Sequence, residues 1–86
     1  MQNEAAKQPV SDWESEAKRI LKAELTRAGV SYKVLAARLA QMGILDSETA
    51  IANRISRGKF SFAFFLQCMS ALGIDEVLLR NRSRPS

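Results

Sequence analysis

Thr49, Asn53, Arg54 and Arg57 recur at three- and four-residue intervals, the spacing that sets side chains along one face of a helix. Glu48 and Ser56 fall on the same outward, polar side. An amide, a hydroxyl and two guanidinium groups in such an array can hydrogen-bond base edges and phosphate oxygens, so the chemistry on offer is recognition. Bond-making chemistry has no comparable set of residues. The chain has no histidine, no glycine-rich phosphate loop, no paired metal-ligand spacing and no nucleophile beside an obvious base. A binding protein is expected rather than an enzyme, with no cofactor and no metal.

Charge gives this array a context. The 86 residues carry a net charge of +4, unevenly spread. Basic and acidic side chains balance over residues 1–28, whereas residues 29–60 hold Lys33, Arg38, Arg54, Arg57 and Lys59 against only Asp46 and Glu48. Tyr32, Lys33, Arg38, Arg57 and Lys59 are therefore the candidates for phosphate contacts, and Thr49, Asn53 and Arg54 for base edges. On charge alone a plain solvated surface is the commoner meaning, because an excess of this size is ordinary. Cys68, the single cysteine, lies in the most apolar stretch, where a free thiol behaves as a small buried hydrophobe and suits a reducing cytoplasm. The sequence shows neither a bilayer-length apolar run nor a secretory leader, so no membrane partner is expected.

The elements that must position these residues follow from caps and periodicity. Residues 1–10 form a short polar lead ending near Pro9. Ser11 and Glu14 have capping-box spacing, and Trp13, Ala17, Ile20, Leu21, Leu25 and Ala28 mark the inward stripe of a first helix over 12–28, closed by Gly29. Trp13 is expected to be a core anchor. Ser31 caps a second helix with Leu35, Ala36, Leu39 and Met42 inward, ending before Gly43. Asp46 or Ser47 caps a third, with Ile51, Ala52 and Ile55 inward, ending at Gly58. Ser61 caps a fourth, uncharged helix whose entry is stapled by Phe60 and Phe65 and whose exit is Gly73. Asp75 begins a short fifth helix to about residue 80, and 81–86 is a basic tail. The fold class is thus all-α, with the domain over 11–80.

The stretch 30–75 resembles the phage-repressor, or xenobiotic-response-element-like, helix-turn-helix family. The residues that carry the likeness are SYKVLAARLA at 31–40, ISRGK at 55–59 and SALGI at 70–74. The chain is also similar to small bacterial proteins sharing this pattern. The resemblance implies a compact four- to five-helix lambda-repressor-like domain, binding double-stranded DNA as a small transcriptional regulator, with the third helix reading the major groove through Thr49, Asn53 and Arg54. One departure stands out. Fifteen residues separate Leu39 from Ile55, so either the second helix is extended or the turn is a real loop.

A protein-interaction module, antitoxin-like or regulator-binding, is the alternative on the same scaffold, favoured by that long turn, by Glu48, and by Phe62 and Phe64. Repressor-type modules pair to read two half-sites, so a homodimer is expected through Phe62 and Phe64 or through Val77 and Leu78. The core is expected to gather Leu35, Ala36, Leu39, Ile51, Ile55, Phe65, Leu66, Met69 and Leu72.

Overall fold

The computed structural model describes residues 10–79, which form four helices: α1 (Val10–Ala28), α2 (Tyr32–Gln41), α3 (Glu48–Arg57) and α4 (Phe62–Leu72). No strand occurs among the described residues. The three shorter helices start in the same way. Ser31, Ser47 and Ser61 each sit extended just before the first turn, and their Oγ atoms accept from the N–H of Val34, Ala50 and Phe64 at 3.2, 3.0 and 3.0 Å. Each such cap satisfies an otherwise orphaned donor and stabilises the helix by about 1 kcal/mol.

Three of the helix ends are also alike. The N–H groups of Val30, Ile44 and Ile74 reach back to the carbonyls of Leu25, Leu39 and Met69 at 2.9–3.0 Å, closing α1, α2 and α4 with an apolar residue folded behind each glycine. The end of α3 differs. Gly58 has φ +69° and is pressed against the backbone of α1, where an added Cβ would overlap the Glu14 carbonyl oxygen and lie 2.8 Å from its carbon. Only glycine satisfies both conditions.

These ends fold the helices back onto one another around a single core. α2 packs on α3 and α4, and α1 packs on the same two helices. Leu21 and Leu25 of α1, Val30 just after it, Leu35 and Leu39 of α2, Ile51 and Ile55 of α3, and Phe64, Cys68 and Met69 of α4 are buried together. Burial pushes the Cys68 thiol up to about 12, against the smaller opposing effect of the positive charge of Arg54. Phe60 stacks on Phe65 at 6.5 Å, so the expected staple forms.

Several expectations are corrected. α1 begins at Val10, so Ser11 lies inside the helix rather than before it. Trp13 is not a core anchor but 62% exposed, because it stands near the N-terminal end of α1, two turns before Leu21, where the buried part of the helix begins. Leu66 and Met42 are exposed rather than inward, as is Ala28, while Ala36, Phe65 and Leu72 are half-buried at the core's edge. No fifth helix forms over 74–79: six residues are too few to offset the cost of nucleation, and the chain instead lays Ile74 and Val77 against the core. Of the expected lead at 1–10 only Val10 is described, and it already belongs to α1; the rest of the lead and the tail at 81–86 lie outside the described residues. No helix among the described residues is long and apolar enough to cross a membrane.

Candidate nucleic-acid interface

The choice left open by the spacing of Leu39 and Ile55 resolves as a loop. α2 stops at Gln41, residues 42–47 form the connection, and Ser47 starts α3. Ile51 and Ile55, fully buried, fix the rotation of α3. That rotation leaves Glu48, Thr49, Asn53, Ser56 and Arg57 exposed on the other side, as the sequence predicts. A shallow concavity of about 340 Å³ follows this face, lined by Ala50, Asn53, Arg54, Arg57 and Lys59.

The six cationic and aromatic candidates divide by what already occupies them. Arg54 is already engaged: its Nη2 pairs with Asp46 Oδ2 at 3.1 Å, and its guanidinium carbon lies 4.7 Å from the centre of the Phe64 ring. Arg38 is exposed, yet its Nη1 donates to the Ala71 carbonyl at 3.4 Å, a long bond to the last turn of α4, where a cation complements the helix end. Lys33, Arg57 and Lys59 are exposed, and no carboxylate among the described residues lies within ion-pair distance of them. Tyr32 is half-buried at the start of α2, lining a second concavity of about 350 Å³ with Lys22, Thr26 and Ser31. Of the candidates, Asn53, Arg54, Arg57 and Lys59 thus line one hollow and Tyr32 another.

Residues 13–77 match the family model described as a domain of unknown function, DUF6471. The chain belongs to this family. No curated protein and no solved structure matches it significantly. The DUF6471 match covers all of α2, α3 and α4 and all but the first residues of α1, so the whole packed unit lies within it.

Two features of this DUF6471 domain escaped the sequence. Glu24 is buried at 3% exposure, its carboxylate accepting from Arg27 Nη1 at 3.1 and 3.3 Å. Its only signal was the three-residue spacing to Arg27. The Asp46–Arg54 pair joins the loop to α3 across eight residues, and nothing local in the sequence ties those two side chains together. Of the expected dimer contacts, Phe62 and Leu78 are exposed, but Phe64 is buried and Val77 half-buried, because both turn toward the core.

Proposed function

We propose that this chain binds double-stranded DNA as a lambda-repressor-like helix-turn-helix module, a small transcriptional regulator in which α2 and α3 form the motif and α3 enters the major groove. The observation that carries this reading is the exposed side of α3: Thr49 and Asn53 stand on a helix whose rotation is fixed by buried isoleucines, next to Arg57 and Lys59, cations with no acidic partner among the described residues. Asn53 and Thr49 have the groups that read base edges. Lys33, Arg57 and Lys59 supply charge for phosphates, and Tyr32 a hydroxyl. Arg54, engaged by Asp46 and Phe64, serves as a positioning residue, holding the loop against α3.

Titration of the whole chain against mixed-sequence duplexes at several salt concentrations tests the reading. Affinity should fall steeply with salt, and Arg57→Ala or Lys59→Ala should each lower the slope by roughly one unit on every sequence. Asn53→Ala or Thr49→Ala should cost roughly 1–3 kcal/mol on a selected site while leaving non-specific binding nearly intact. Absence of salt-dependent affinity for any duplex at low ionic strength would sink the reading. The interaction-module reading then takes its place. It is favoured by Leu45, which is 82% exposed in the connection before α3, and by Glu48, exposed beside it, since neither suits a phosphate backbone.

A further inference from the structure

A groove of about 260 Å³ runs between α1 and the start of α4, lined by Ala17, Ile20, Phe60, Phe62, Phe65 and Leu79. Helical spacing extends this apolar surface in both directions: Trp13 precedes Ala17 by one turn of α1, and Leu66 follows Phe62 by one turn of α4. Trp13 is 62% exposed and Phe62 72%. Phe62 stacks on Phe65 at 6.1 Å, and Phe65 in turn on Phe60, so the exposed ring is held in place before any partner arrives. The open parts of Trp13, Phe62, Leu66 and Leu79 add up to roughly 500 Å² of apolar surface, near the top of what a monomer leaves uncovered.

Charge and shape select the occupant. α4 has no charged residue along its whole length, so two copies can meet there without opposing like charges, in a chain that otherwise repels itself at net +4. The face also holds a projecting indole beside an apolar groove. In a two-fold contact each copy offers the same patch, so the knob of one meets the groove of the other, and the reverse. Burying this surface on both copies removes about 1,000 Å² in total, the lower bound for a specific contact and the size of a weak, reversible one. We propose that the chain pairs with a second copy through the α1–α4 face, the Trp13 ring of each copy seated in the groove beside Phe62 of the other. This surface excludes the buried Phe64, and it stands whether or not α3 binds DNA.

Trp13 is the single tryptophan, so its emission reports the contact directly. Sedimentation velocity and fluorescence of the whole chain, from low-micromolar to near-millimolar concentration, should show a monomer–dimer equilibrium with emission shifting to the blue as the dimer forms. Phe62→Glu should weaken association by at least about 30-fold, as expected for an aromatic at the centre of an interface. Because Phe62 is exposed, its far-ultraviolet circular dichroism should match the parent; Trp13→Ser offers a second, milder variant with the same expected loss of dimer. Arg57→Ala, on α3, should dimerise normally. A chain that stays monomeric with unchanged red emission overturns the proposal, assigning the face to another occupant. Dimers that persist in both variants overturn it equally, by placing the contact elsewhere.

Discussion

The two ends of α3 are held by different physics. At its C-terminal end Gly58 is wedged against the α1 backbone at Glu14, and the chain leaves through the stacked Phe60 and Phe65 rings. At its N-terminal end the connection 42–47 leaves Leu45 open to solvent and is tied down by the Asp46–Arg54 pair, whose side chains remain partly exposed. Steric closure tolerates almost no change, whereas a half-solvated ion pair is adjustable and sensitive to salt. The exposed Thr49 stands near the adjustable end, Asn53 midway, and Arg57 beside the rigid one.

The sharpest way to break this contrast is to add one methyl group at each side. Gly58→Ala forces a Cβ into a backbone that cannot retreat and should cost upward of about 4 kcal/mol, seen as loss of the cooperative melt. Gly43→Ala, at φ +89° with nothing within 4 Å of the new Cβ, meets only the backbone penalty and should cost about 1 kcal/mol. Equal costs at the two positions would mean that the close approach to Glu14 contributes nothing.

Ile51 and Ile55 ask whether packing itself is uneven along the helix. Both are fully buried, so Ile51→Ala and Ile55→Ala should each lose about 2–4 kcal/mol in denaturant titrations. A much cheaper Ile51 change would show that the N-terminal end collapses around the cavity, which sharpens the contrast.

Alkaline titration reaches the interior between the ends. The Cys68 thiol is raised to about 12 from an ordinary value near 9, so the folded state keeps its proton while the unfolded chain loses it. Stability from this group is complete below pH 9 and is lost as pH climbs toward 12, at up to about 1.4 kcal/mol per unit. Cys68→Ala should remove that slope, measured as the difference between the two proteins' denaturation midpoints across this range.

The smallest effect belongs to the ion pair. Asp46→Asn should cost roughly 0.5 kcal/mol in low salt and less in high salt. An effect of similar size in both conditions would reassign Asp46 to a structural role unrelated to charge.

Local chemistry was readable in the sequence because it is written within a few residues. Ser31 and Ser61 announce their helices by cap spacing, the third cap is narrowed to Asp46 or Ser47, of which Ser47 takes the position, and Phe60 with Phe65 announces the entry to α4. The outward set on α3 follows from the same periodicity that buries Ile51 and Ile55. The caps read at Ser11 and Asp75 failed locally; the rest of what failed needed partners distant in the chain. Trp13 shares its helical line with half-buried Ala17 and Ile20, and only the position of α4 decides whether that line is covered. Asp75 looks like a cap, but a cap cannot sustain a helix over so few residues. Arg54 has the right spacing to face outward; the reach of its long side chain to Asp46 and Phe64 depends on how the loop and α4 come together.

Cys68 has one further consequence. A thiol with no exposed surface, alone in the chain, can react with an alkylating reagent only during moments when the helices part. The protein therefore contains its own clock. Added reagent in excess counts openings, and the dependence of that count on reagent concentration separates how often the core opens from how quickly it shuts. Duplex DNA or self-association that holds the closed form should slow the clock without touching Cys68.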